Sequence, residues 1–165
     1  MLNQDYTFDT FRIDKGNRFA YAAAVTVAEN PGKPYNPLVI WGPSGTGKTH
    51  LLHAIANKTH SLNHWVRTHY TPTHTYRDEF LKNIPRGQEE FRRHYYNLDM
   101  LLIDDIQDLA GKQKLEEVFL FTLDRLLTDG KQVVMTCDVA PGELAIEGRR
   151  LRQRILSGLI ADTSI

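Results

Sequence analysis

The sequence predicts an α/β domain in which a five-stranded parallel sheet lies between two layers of helices. Short, uniformly apolar runs such as Leu38-Val39-Ile40-Trp41 and Met100-Leu101-Leu102-Ile103 lack polar alternation, the pattern of strands covered on both faces. Longer segments with apolar residues at helical spacing separate these runs, so strands and helices alternate along the chain. The 165 residues, 41% of them hydrophobic, suffice for one core, and no repeat or low-complexity tract interrupts them.

Asn17 to Glu29 is alanine-rich and free of proline and glycine, which predicts a helix ended by Asn30-Pro31-Gly32-Lys33-Pro34. The strand Leu38 to Trp41 opens into a glycine-rich loop. Lys48 to Lys58 then places Leu51, Leu52 and Ile55 on one helical face. A second strand is expected over Trp65 to Tyr70, where basic and aromatic residues mix. Thr75 to Ile84 and Gln88 to Tyr96 read as two short helices parted by Pro85-Arg86-Gly87, ahead of the strand Met100 to Ile103. Lys114 to Leu127 forms a helix with a stripe of Val118, Phe119, Leu123, Leu126 and Leu127, closed by Asp129-Gly130. Strands over Gln132 to Thr136 and Leu159 to Asp162 complete the set.

Lysines plus arginines and aspartates plus glutamates balance at 20 each, so net charge draws the chain to neither nucleic acid nor membrane. Binding of that kind must come from local patches. The single cysteine, Cys137, cannot form an internal disulfide, and no apolar stretch approaches the roughly 20 residues that span a bilayer. Without a basic, apolar leader at Met1 to Tyr6, the expected compartment is the reducing cytoplasm. His60, His64, His69 and His74 have no acidic or cysteine companions at metal-ligand spacing and read as surface or core histidines.

The run Gly42-Pro43-Ser44-Gly45-Thr46-Gly47-Lys48-Thr49 meets the phosphate-loop pattern in the strand-to-helix context it requires. Glycines at 42, 45 and 47 permit backbone angles and close approach denied to larger residues, so successive N–H groups can face phosphate oxygens. Lys48 reaches toward β- and γ-phosphates, and the Thr49 hydroxyl is a Mg²⁺ ligand. A glycine-rich turn that merely links two elements is the bland reading, and the flanking strand and helix argue against it.

A carboxylate at the end of a neighbouring strand is needed to fix the metal, and Leu101-Leu102-Ile103-Asp104-Asp105 supplies it. Ligands gather at the carboxyl ends of parallel strands, so Asp104 is expected beside the loop, holding Mg²⁺ through water. Asp105 is placed to orient an attacking water, though an acidic residue after a strand is also a common helix cap or surface charge. Thr136-Cys137-Asp138 ends the next strand, where a polar side chain senses the γ-phosphate or closes a simple turn.

With these residues placed, the chain closely resembles the ATPase domain of the bacterial DnaA replication initiators, within the AAA+ superfamily. The resemblance rests on Tyr6-Thr7-Phe8-Asp9-Thr10-Phe11, Asn17-Arg18-Phe19-Ala20, Tyr35-Asn36-Pro37-Leu38, Gly47 through Ile55 and Leu101 through Gln107. It implies a P-loop NTPase three-layer αβα sandwich with ATP or ADP and Mg²⁺, residues 1–37 bordering the nucleotide and 75–96 forming an initiator-specific insertion. Gly42, Gly45, Thr46, Gly47, Lys48, Thr49 and His50 become nucleotide-binding residues, and Thr49 and Asp104 metal residues. Asp105 and Asp138 become catalytic, with Asp138 the first sensor and Arg154 an arginine finger offered to a neighbour's ATP. Arg150 would support that interface. Leu81, Lys82, Lys112 and Lys114 align with DNA-contacting positions. The implied partners are further copies of the chain, single-stranded or origin DNA, and the replicative helicase or regulators of initiation.

The residues themselves leave alternatives at two of these places. Arg149, Arg150, Arg152 and Arg154 concentrate fixed charge with only Glu147 close by in sequence, a pattern also made by solvated helix arginines. The insertion is amphipathic whatever it binds, so an ordinary packed helix pair serves equally. The chain departs from the family at Asp108, Arg149 and Ile155 and at Pro43-Ser44. It is expected to lack the helical lid and the helix-turn-helix domain, which leaves the pocket open on one side and hydrolysis weak. A fragment and a short paralogue both fit. The competing function is a regulator or helicase loader with the same phosphate loop acting through protein partners; a small nucleotide kinase lacks an acceptor motif.

Overall fold

Leu38, Val39, Ile40 and Trp41 form β1 (Leu38–Trp41) near the middle of an all-parallel five-stranded sheet. The computed structural model describes residues 1–164. The other strands are β2 (Thr68–Pro72), β3 (Met100–Asp104), β4 (Gln132–Cys137) and β5 (Leu159–Asp162), in the spatial order β2-β3-β4-β1-β5. Helices α1 (Arg18–Glu29), α2 (Lys48–Leu62), α3 (Thr73–Asn83), α4 (Glu89–Tyr96), α5 (Gln113–Thr128) and α6 (Arg149–Ile155) connect and cover them, with 3-10 turns at Ile84–Arg86, Ile106–Leu109 and Pro141–Glu143.

Side chains of a strand alternate between its faces, and here both faces are apolar. Val39, Leu101, Ile103, Val133 and Met135 join a core with Tyr76, Phe91, Phe119, Leu123 and Leu151 from α3 to α6. Leu38, Ile40, Met100, Leu102 and Val134 point the other way, onto Ala20, Ala24 and Val27 of α1 and Leu51, Leu52 and Ile55 of α2. The alanines of α1 present a flat surface that lets the helix lie close to its neighbour. These two half-cores are the three-layer sandwich expected from the sequence.

β1, α1 and β5 fall where the pattern placed them, and the stripe on α5 buries Phe119, Leu123 and Leu126 with Val118 and Leu127 partly covered. The second strand is displaced: it runs over Thr68–Pro72, not Trp65 to Tyr70. Arg67 is the hinge, its N–H and guanidinium binding Asp99 at 2.9 and 3.0 Å while its carbonyl accepts from Met100 N–H at 3.1 Å. Trp65 is left in the preceding turn, 89% exposed. Pro72 closes β2, where the edge of the sheet tolerates its missing N–H. α3 then begins at Thr73, two residues ahead of the expected start. β3 extends to Asp104, so that carboxylate is carried by the strand itself. Among the described residues no helix is long and apolar enough to cross a membrane.

Candidate nucleotide site

Because β3, β4 and β1 are adjacent, their carboxyl ends bring the glycine loop, Asp104-Asp105 and Asp138 to one edge of the sheet. The loop leaves β1 with Gly42 N–H donating to the Cys137 carbonyl at 3.1 Å. Gly42 and Gly47 have φ of +155° and +92°, and a Cβ on them would lie 2.2 Å from Thr163 Oγ1 and 2.7 Å from the Phe11 ring. Glycine is required at both places by conformation and by space.

Lys48 opens α2 and is 6% exposed, its Nζ donating to the carbonyls of Gly42 at 2.6 Å and Pro43 at 2.8 Å. Among the described residues this buried ammonium makes no ion pair, and its partners are the two carbonyls alone. One residue on, Thr49 Oγ1 donates to Asp104 Oδ2 at 2.7 Å. Asp104 is 3% exposed and also accepts from Tyr70 Oη at 2.9 Å on Oδ2 and from Thr136 Oγ1 on Oδ1. Three hydroxyls thus hold one buried carboxylate in a single orientation. Asp105 turns into the left-handed region at φ +60°, its N–H bound to Thr136 Oγ1 at 2.9 Å and its carboxylate accepting from Gln107 Nε2 at 3.2 Å. Burial, and then the neighbouring Asp104 charge, push the Asp105 carboxyl above its ordinary range.

Lys48, Thr49, Asp105, Gln107 and Asp138 line a cleft of about 540 Å³. A second cleft, of about 610 Å³ and bordered by Phe11, Arg12, Asn17 and Thr163, shares Gly45, Gly47 and His50 with the first. One cleft is charged and the other mixed aromatic and polar, and both have the size of small-molecule sites.

The family model described as the bacterial DnaA ATPase domain matches residues 2–162. The chain belongs to this family. It is 40% identical, with a TM-score of 0.94, to domain III of the Thermotoga maritima replication initiation protein DnaA, covering 98% of this chain and 68% of that one. AMPPCP-bound DnaA from Aquifex aeolicus is 33% identical with a TM-score of 0.93, over 99% of this chain and 51% of that one. A replication initiator DnaA bound to AMPPCP and single-stranded DNA is 33% identical with a TM-score of 0.94, over 100% of this chain and 51% of that one. The chain therefore spans about half the length of the latter two. The DnaC helicase loader, at 16% identity and a TM-score of 0.83, shares the fold.

In this DnaA-family domain two expected nucleotide residues turn their side chains elsewhere. Thr46 Oγ1 binds the Pro43 carbonyl at 2.9 Å and Thr163 Oγ1 at 2.7 Å, which braces the loop against the end of β5. His50 Nε2 lies 2.7 Å from the Thr7 carbonyl and its ring stacks on Tyr6 at 4.6 Å, so it pins the N-terminal segment over the loop. Both remain in the loop-to-helix stretch, where backbone N–H groups at a helix start suit an anion.

The arginines lie apart from the cleft. Arg150 and Arg154 project from α6 to the two oxygens of Asp124 on α5, at 2.8 and 2.6 Å. Their acidic partner is therefore Asp124, not the sequence neighbour Glu147. Arg149 is exposed, whereas Ile155, a departure from the family pattern, is buried in the domain core. The insertion is a packed helix pair: Tyr76, Phe80, Phe91 and Tyr95 are buried, and Tyr76 Oη meets Thr122 Oγ1 at 2.7 Å. Its outer surface keeps Leu81 and Lys82 exposed. Lys112 Nζ is tied to the Asp108 carbonyl at 2.7 Å, and Lys114 borders a groove of about 150 Å³ with Arg92 and Phe121.

Tyr70, Asp124 and Glu116 were not legible as site residues. Glu116 is buried and accepts from the N–H groups of Gly111 at 3.1 Å and Gly148 at 2.8 Å, anchoring the start of α6. It reads in sequence as one acidic residue among several on an amphipathic helix, and only the loop folding back over α5 reveals its use.

Proposed function

We propose that this domain binds ATP with Mg²⁺ and acts as the nucleotide switch of a replication initiator. The observation that carries this is the line Lys48, Thr49, Asp104 at the glycine loop: a buried cation and a hydroxyl that line one cleft, with an oriented carboxylate directly behind the hydroxyl. Oxygen donors of this kind suit Mg²⁺, with Thr49 and Asp104 as the residues that would hold it. Bound there, the metal would neutralise charge on the phosphate oxygens. The loop N–H groups and the α2 N-terminus bind the phosphates, and the cleft beside Phe11 and Asn17 takes the base and ribose.

Asp105, with its carboxyl shifted upward, orients a water for attack, and Asp138 registers the γ-phosphate from the end of β4. Arg154 faces outward, which suits a role at a neighbouring subunit's nucleotide. ATP would then promote self-association, the assembly would engage single-stranded origin DNA through the insertion, and slow hydrolysis would reset it. The AMPPCP- and DNA-bound state named for a 33% identical DnaA supports this reading, whereas the resemblance to a helicase loader extends to the fold alone.

Equilibrium titration with a fluorescent ATP analogue tests the site. Wild-type protein is expected to bind in a Mg²⁺-enhanced manner and Lys48→Ala to lose binding; undiminished affinity in Lys48→Ala overturns the assignment.

A further inference from the structure

We infer that Tyr70 is a positioning residue for the metal side of this site: its hydroxyl fixes the Asp104 carboxylate, and its ring is backed by His53. The inference rests on the reading of Asp104 as a Mg²⁺-side residue. β2 and β3 run parallel with Tyr70 opposite Leu102 and Pro72 opposite Asp104. Tyr70 therefore lies on the same face as Asp104, two residues back along the neighbouring strand. A tyrosine is long enough to span that offset, and its Oη reaches Asp104 Oδ2 at 2.9 Å.

α2 presents the complementary set. Thr49 and His53 are four residues apart and so share a helix face. Thr49 Oγ1 donates to the same Asp104 oxygen, while the His53 ring packs 4.1 Å from the Tyr70 ring. His53 is itself held, its Nδ1 accepting the Asn3 N–H at 3.0 Å, and Asn57 one turn on donates to the carbonyls of Asn3 and Tyr6. Nδ1 is thus an acceptor, and the imidazole is neutral in this arrangement. A continuous set of contacts runs from the N-terminal segment through His53 and Tyr70 to Asp104.

The three donors to Asp104 are not equivalent. Thr49 is a candidate metal ligand, and Thr136 also serves the Asp105 N–H. Tyr70 has neither further duty, and its hydroxyl donates to Asp104. Partners of this type set the direction of a ligating carboxylate, and their loss typically lowers metal affinity about 10-fold or more.

The test is Tyr70→Phe, which keeps the ring against His53 and removes the hydroxyl. Binding of a fluorescent ATP analogue is measured in EDTA and then across a Mg²⁺ titration, alongside thermal unfolding. The expected result is an about 10-fold rise in the Mg²⁺ concentration giving half-maximal enhancement, with EDTA affinity unchanged and the melting temperature lowered by no more than the loss of one hydrogen bond allows. An unchanged Mg²⁺ midpoint overturns the inference, as does a loss of affinity already present in EDTA, which marks a merely structural residue. If the wild-type protein binds nucleotide without any Mg²⁺ enhancement, the metal reading of Asp104 falls and this inference falls with it; Lys48→Ala reports separately on the nucleotide site.

Discussion

Arg154 lies with its Nε 2.6 Å from Oδ1 of Asp124, so the outward-facing arginine of α6 is tethered to α5 of its own chain. The contact is an ion pair without hydrogen-bond alignment at that oxygen, and Arg150 takes the other oxygen at 2.8 Å. Two guanidinium groups on one carboxylate leave a net positive charge. Glu116, eight residues before Asp124, holds the other end of α6 by accepting from Gly148 N–H. α6 is thus fixed at both ends against α5, and Arg154 is presented from a braced helix.

A half-exposed ion pair is worth under about 1 kcal/mol, so Arg154→Ala should barely change unfolding stability. ATP-analogue affinity should also persist, because Arg154 does not line the chain's own cleft. ATP-stimulated self-association, followed by sedimentation, should fall. Unchanged assembly would count against a role at a neighbouring nucleotide.

Thr136 is fully buried and its hydroxyl does two jobs, donating to Asp104 Oδ1 and accepting from Asp105 N–H. Thr136→Val keeps the shape and strands both partners, one of them charged. Denaturant unfolding should show a loss of about 2 kcal/mol or more. Thr136→Ser retains the hydroxyl and should recover most of it. Equal stability of the valine and serine variants would show that the hydroxyl is not the clamp.

His69 gives the domain a pH dependence. Its Nε2 is buried without a hydrogen-bond partner, and its ring sits 4.6 Å from His94. Burial, then the neighbouring His94, hold its pKa below the ordinary 6.5, with Glu79 opposing. The unfolded chain takes up a proton as pH falls through about 6.5 while the folded chain resists, so stability present above that value is lost below it. The melting temperature should therefore drop as pH falls from about 7.5 to about 5.5, and less steeply in His69→Phe. Part of the drop should survive, because burial lowers His53 in the same direction. An identical slope in His69→Phe would remove His69 as its source.

What the sequence made legible and what it hid follow from the range of the interactions. The phosphate loop and Asp104 were readable because their chemistry is written in consecutive residues at the end of an apolar run. The strand β2 starts three residues beyond Trp65 because its start is set by Arg67 and Asp99, which are 32 positions apart in sequence and adjacent only in the fold. Thr136 was visible as the end of a strand, but its grip on Asp104 depends on β4 lying beside β3. Asp124 looked like any acidic residue on an amphipathic helix. The apolar face of the insertion is turned inward, where Tyr76 and Phe91 pack together and Tyr76 meets Phe119 of α5, so the proposed DNA contact falls to the outer face.

Lys82 on α3 and Lys114 at the start of α5 are the lysines left for phosphate contact. Lys82 is exposed and, among the described residues, makes no ion pair, while Lys114 is held only by Glu117 at 3.7 Å with its side chain 73% exposed. Both ammonium groups are available to phosphates at little cost. Lys112 is less so, its Nζ being bound to the Asp108 carbonyl. Lys82→Ala combined with Lys114→Ala should weaken single-strand binding. Each lost phosphate contact on a single strand removes about 0.7 from the slope of log affinity against log salt, so the double variant should be flatter by about 1.4. Fluorescence anisotropy with a labelled oligonucleotide across a salt series measures both quantities. A weaker but parallel line would mean that the lysines act through the fold, and an unchanged line would leave α3 and α4 as a packing element alone.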